Sequence, residues 1–325
     1  MLSRAAESIY WMERYRERAE NTARAVDCSL QLSLDAPAER ESPWGPVVLA
    51  SGDEELYKEL GGTLSKKAAM NFLTFEERNP NSILSCLSKA RDNARSVREI
   101  IAAEMWQELN TAYLYVRNAA ADPAASPTPH EFYTRVKRHG QVFAGIADAT
   151  MLRGEAWHFG RMGAMLERAD KTSRLLDMKY FLLLPSVDDV GAPYDGLQWS
   201  ALLDAVGALE FYRKKHRQIL HADVVDFLVL NPDFPRSILH CLLELEKSLR
   251  ALTGTPPGQP GNDAERLLGR LRSDLGFCRV EDVMRRGLHE FLNDVQVRLD
   301  EVNAALSTIF FTPSATHAAG HSHDQ

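Results

Sequence analysis

Cysteine is scarce in this chain of 325 residues: Cys28, Cys86, Cys241 and Cys278 lie far apart, and no two form a Cys-x-x-Cys pair. That spacing excludes a zinc ribbon or a redox dithiol, so reduced thiols packed as small hydrophobes are expected. No apolar run approaches the roughly 20 residues that cross a bilayer. The longest, Tyr180 to Leu184, stops at Pro185. No stretch of signal-peptide character follows Met1, so a cytoplasmic protein is expected. Positive charge is in deficit as well. A net charge of −7 argues against nucleic acid and anionic membranes as partners. Neither Gly-x-x-x-x-Gly-Lys-Ser/Thr nor Gly-x-Gly-x-x-Gly occurs, which leaves no self-contained nucleotide site and no expected cofactor. Gly-x-Ser-x-Gly is absent too, and no cysteine sits in a recognisable catalytic setting.

What the chain does have is helical periodicity. With 45% apolar and 26% charged residues it can bury a sizeable core. Ala5, Met12, Ala19, Ala23, Val26 and Leu30 fall on one stripe at about 100° per residue. Further helices are expected near 54–60, 65–75, 82–119, 130–151, 155–184, 198–216, 219–229, 236–252, 263–274 and 281–310. Ser82 and Ser237, each between a proline two positions back and an Ile-Leu pair, read as helix caps. Breaks are expected at Ala36–Pro46, Asp122–Pro129, Pro185–Gly196 and Thr253–Asp263. No run alternates as a strand would, so the fold class is all-α. Beyond Pro313 the tail, with His317, His321 and His323, has nothing to bury and is expected to be disordered.

The chain also matches itself. Residues 44–87 align without a gap to 199–242: Trp44 with Trp199, Gly52 with Gly207, Tyr57 with Tyr212, Phe72 with Phe227, Pro80 with Pro235. Ser82-Ile-Leu-Ser-Cys-Leu87 then answers to Ser237-Ile-Leu-His-Cys-Leu242. Upstream, Glu17-Arg-Ala-Glu-Asn-Thr-Ala-Arg-Ala-Val-Asp27 answers to Glu167-Arg-Ala-Asp-Lys-Thr-Ser-Arg-Leu-Leu-Asp177. Two collinear matches imply an internal duplication, with a first helical repeat over 1–151, a second over 152–311 packed on it, and the tail over 312–325. Duplicated halves are expected to meet through equivalent faces. Cys86 and Cys241 share one apolar register, which favours packing over reactivity.

On a helical wheel Tyr10, Arg14, Glu17, Glu20, Arg24 and Asp27 share one side, opposite the apolar stripe. Glu167, Asp170, Arg174 and Asp177 repeat that ladder, Arg18 and Arg168 border it, and Arg161 lies upstream on the second helix. A solvated, salt-bridged face would need no particular identities. Their recurrence points instead to enclosed carboxylate–guanidinium pairs, to a ligand or partner surface, or to catalysis with Glu17 or Glu167 as general base. Arg91, Arg95 and Arg98 form a weaker cationic strip. Glu155-Ala-Trp-His158 has the spacing of a di-iron ligand pair, but no second such pair exists, and no metal is expected.

The stretch Tyr10-Trp-Met-Glu-Arg-Tyr-Arg-Glu-Arg-Ala-Glu-Asn-Thr-Ala-Arg24 resembles the signature of the bacterial alpha-E family, all-helical proteins named for a Glu-Arg motif. Phe159 to Asp177 resembles its second copy, and the blocks within Pro80–Asn110 resemble its Ser-Ile-x-x-Cys-Leu, Arg-x-Asn-Ala-Arg and Met-Trp-x-x-Leu-Asn motifs. One departure is Ala164, where the family often carries an arginine, while Arg14 holds the equivalent place in the first copy. The resemblance implies gene neighbours encoding circularly permuted ATP-grasp proteins, transglutaminase-like peptidases and a proteasome-like protease. It thereby implies a pathway that makes or attaches amide-linked peptides. The chain is expected to act there as the non-nucleotide partner of an ATP-grasp-type ligase, docking it or presenting its peptide or amine substrate. The alternatives are an amide-forming or amide-cleaving enzyme and a purely structural scaffold.

Overall fold

Two long helices, α1 (Ser3–Asp35) and α8 (Glu155–Leu183), lie against each other through the middle of the molecule. The computed structural model describes residues 1–35, 44–63, 65–122, 127–183 and 193–312. The expected tail therefore lies almost entirely outside the described residues. Among those described there are fifteen α-helices, one π-helical turn and no strand. The protein is all-α. None of these helices is long and apolar enough to cross a membrane.

The other helices wrap the central pair. α5 (Ile83–Ser96) and α7 (Pro129–Thr150) pack on α1, with α6 (Ala103–Ala121) bridging them from outside. α12 (Ile238–Thr253) and α15 (Leu288–Phe310) pack on α8, with α13 (Asp263–Phe277) bridging them in the same way. Two shorter helices cross over. α2 (Trp44–Ser51) follows α1 in sequence yet rests on α8, whereas α9 (Pro193–Ala205) follows α8 and rests on α1. α3 (Glu54–Glu59), α4 (Lys66–Thr74), α10 (Leu209–Lys215), α11 (His221–Val225) with the π turn 226–230, and α14 (Val280–Arg286) complete the chain. Buried side chains from both halves form one continuous core.

Local chemistry sets several boundaries. Ser82 and Ser237 accept hydrogen bonds from the backbone N–H groups of Ser85 and His240, satisfying donors that a helix start leaves unpaired. Thr128 and Glu131 make a reciprocal capping box, with Pro129 in the first turn. Three expected helices are broken in two: 82–119 at Val97–Ala102, 198–216 at Gly207 and 281–310 at Gly287. Gly207 (φ 70°) and Gly287 (φ 94°) hold backbone conformations that an L side chain resists, which ends the helix on each side. The expected break at Ala36–Pro46 extends too far, because α2 already begins at Trp44. Pro46 in its first turn removes an N–H that has no helical partner there.

Cys86 and Cys241 are fully buried, and each thiol donates to the carbonyl of the proline six residues before it, Pro80 or Pro235, at 3.8 Å. Burial pushes the thiols up to about 11 and about 12, so neither is a thiolate near neutrality.

Candidate functional site

The Glu-Arg motifs of α1 and α8 face each other and exchange partners. Arg18 donates from Nε to Glu167 Oε1 at 2.6 Å and from Nη2 to Oε2 at 3.0 Å. Arg168 donates from Nε to Glu17 Oε1 at 2.8 Å and from Nη2 to Oε2 at 2.9 Å. Each arginine therefore clasps, through a two-bond fork, the glutamate beside the other arginine. Both glutamates are 0% exposed. Paired N–H groups in a planar fork match a carboxylate better than any single-point contact, and enclosure makes that match matter.

Around this crossed pair the two sides differ. Glu167 also receives Arg14 Nε at 2.8 Å, and Arg14 goes on to Asn303 Oδ1 at 2.5 Å beside the buried Tyr10 hydroxyl. Glu17 also receives Arg16 Nη2 at 2.8 Å and Arg236 Nη1 at 3.3 Å. Arg16 is the hub of α1, since it reaches Glu13 at 2.8 Å and Glu20 at 3.1 Å as well. Glu20 further binds Arg24 and Arg236. Arg24 ends on the carbonyl of Ala205 at 2.7 Å. On α8, Arg174 Nε lies 3.0 Å from both oxygens of Asp170, and Lys171 Nζ stands 3.1 Å from Asp170.

Outer members of the ladder are tied down differently. Asp27 binds His130 at 2.8 Å and Lys137 at 2.7 Å, both on α7, whereas Asp177 binds His289 on α15 at 2.7 Å. Arg161 sits apart, paired with Glu244 on α12 at 3.0 Å. Arg91 bonds Asn110 at 2.7 Å and lies over the rings of Trp106 and Tyr113, and Arg98 also lies over Trp106. Arg95 is exposed next to them. Arg91 and Arg95 stand on α5 and Arg98 in the turn after it, all outside the crossed pair. No group of three or more His, Cys, Asp or Glu side chains able to hold a metal occurs among the described residues.

Sequence reasoning passed over several members: Glu13, Arg16, Lys171, Arg236 and Asn81. None recurs at its matched position, where Gly163, Leu166, Asn21, Asn81 and Arg236 stand. A search for what the two matched segments share misses them. Ala164, buried in α8, leaves the Glu17 side without a counterpart of Arg14, and Arg16 with Arg236 supply the charge there.

Burial pushes the Glu167 carboxyl up, but Arg18 and Arg14 outweigh it and hold the group down at about 2. Burial likewise opposes ionisation of Glu17, and Arg168 with Arg16 keep it well below its ordinary 4.5. Burial pulls the Arg236 guanidinium down to about 10, still charged at neutral pH. Carboxylates more acidic in the folded than in the unfolded chain stabilise the fold above the unfolded value and lose that contribution as pH falls through the folded one. The stability gap between the parent chain and Glu167→Gln should therefore be widest above pH 4.5 and narrow towards pH 2. Urea titrations across that range measure it, urea being uncharged and so sparing the ion pairs. A gap unchanged from pH 5 to pH 2 would contradict the assignment.

Fold and site together define an all-α protein in which two Glu-Arg motifs are buried and bonded crosswise. The family described as a predicted alpha-helical domain with a conserved ER motif matches residues 1–311, and the chain belongs to this Alpha-E family. An uncharacterized protein of Mycobacterium bovis is 21% identical over 330 residues, covering 94% of this chain and 36% of the relative. Two uncharacterized proteins of Mycobacterium tuberculosis strains match to the same extent. The chain thus spans little more than a third of these relatives' length. No solved structure matches it significantly.

Proposed function

We propose that this chain is a non-catalytic binding partner of an ATP-grasp-type amide or peptide ligase in the cytoplasm, docking it or presenting its peptide or amine substrate. The reading takes the two matched halves as diverged copies of one unit. The observation that carries the non-catalytic part is the state of Glu17 and Glu167. A general base needs a carboxyl poised near the working pH and reachable by substrate. Both glutamates are instead enclosed, doubly clasped and held strongly acidic. The crossed pairs act as a lock that fixes how α1 and α8 meet, a role attested for enclosed polar networks in other proteins. The ligase enters through the family resemblance.

Co-purification with an ATP-grasp protein encoded beside this chain, followed by ATP-consumption assays with and without the chain, tests the proposal. A stable complex with altered ATP consumption is expected. If the two neither associate nor change each other's activity, the proposal fails.

A further inference from the structure

The two sides of the lock are unequal, and only one is filled by side chains. In the sequence match Asp53 corresponds to Ala208 and Asn81 to Arg236. On the Glu17 side Arg236 reaches in from the turn before α12 and spends its guanidinium on Glu17, Glu20 and Asn21. On the Glu167 side the shorter Asn81 stands in that place. There a small cleft, partly open to solvent, runs between α1, α2, α4 and α8.

Its polar groups are unevenly used. Arg18 is spent on Glu167 and Asn81. Arg174 commits only Nε, to Asp170, and its two terminal nitrogens make no hydrogen bond among the described residues. One of them lies against Gly52, where a Cβ would come within 3.1 Å. Asp53 accepts from Asn81 through Oδ1 at 2.8 Å, while its buried Oδ2 has no hydrogen-bond partner. A buried carboxylate oxygen without a donor is costly, and a free guanidinium edge is shaped for a carboxylate. Val47, Leu175 and Met178 supply an apolar wall. One free acceptor, one free two-toothed donor and an apolar wall describe a small zwitterion with a hydrophobic body.

We propose that this cleft binds a free α-amino acid with an apolar side chain. Its carboxylate pairs with the terminal nitrogens of Arg174, assisted by Lys171, and its ammonium donates to Asp53 Oδ2. The side chain lies against Val47, Leu175 and Met178. This deepens the presenting role proposed above and rests on it for its purpose. Binding to the isolated chain needs no ligase, so the two proposals can fail separately.

Calorimetric titration of the full chain with L-leucine tests the site, with N-acetyl-L-leucine and L-leucinamide as partners lacking one charge each. L-Leucine is expected to bind one to one, and each blocked analogue at least about tenfold more weakly, because each gives up one of the two charge-assisted contacts. Asp53→Asn and Arg174→Met should each weaken L-leucine by a similar factor. Ala50→Phe, which fills the cleft without touching any charge, should abolish binding; folding of every variant is checked by its thermal midpoint. Absence of L-leucine binding to the folded parent chain would overturn the proposal. So would N-acetyl-L-leucine binding as tightly as L-leucine, or affinity that survives in every folded variant.

Discussion

Glu17→Ala is expected to lower the thermal midpoint by on the order of 10 °C, through a loss of about 3–5 kcal/mol. The substitution removes one carboxylate, strands Arg168, which it pairs, and takes one partner each from Arg16 and Arg236, which keep Glu20. An enclosed guanidinium that loses its counter-charge keeps its desolvation cost without the attraction that offset it. Arg168→Met should cost less, because Glu17 retains Arg16 and Arg236. The double variant should fall short of the sum of the singles by about 0.5–3 kcal/mol, the coupling typical of directly bonded partners. Calorimetric and urea unfolding of the four proteins measure that cycle. A Glu17→Ala chain within about 1 kcal/mol of the parent would mean the site is wetter and looser than the geometry says.

Gly163→Ala should be nearly as damaging, at about 3 kcal/mol, the upper end for overpacking. A methyl group at this position of α8 would press into the backbone carbonyl of Tyr10, with the carbonyl carbon only 3.1 Å away. Backbone cannot swing aside as a flexible side chain can, so α1 and α8 would have to part. Their separation would stretch the crossed pairs one turn further along. Gly269→Ala in α13 is the matched control, since nothing lies within 4 Å of its added methyl. There the helix should gain about 1 kcal/mol from the lost backbone freedom of the unfolded chain. Equal effects at the two positions would remove the steric argument.

Much of this architecture is legible in the order of residues, and the gaps have physical causes. The helical stripe of Met12, Ala19, Val26 and Leu30 and the caps at Ser82 and Ser237 mark helices without ambiguity. Periodicity cannot say where a long helical stretch bends back, so the corner between α5 and α6 was hidden inside one continuous pattern. Gly207 and Gly287 were visible as residues, but glycine permits a positive φ without compelling it. The recurrence of Glu17-Arg18 as Glu167-Arg168 identified the centre of the molecule because both motifs use the same fork. Arg16 and Arg236 escaped for the opposite reason. Each compensates a difference between the halves, and compensation leaves no repeated mark. The polar side of α1 was also harder to place than its apolar stripe, since an acid–arginine ladder looks the same whether water or a second ladder faces it.

The crosswise bonding makes the two motifs hostage to each other in inheritance. A change at Glu17 is felt first by Arg168, some 150 positions away in the chain, and hardly by its own neighbour Arg18. Drift at either motif is therefore checked by the other, and neither motif could decay while the one it bonds stayed intact. Each half also carries on one helix both the acid and the arginine that the opposite half requires, so a lone half would present a key and a keyhole of the same cut.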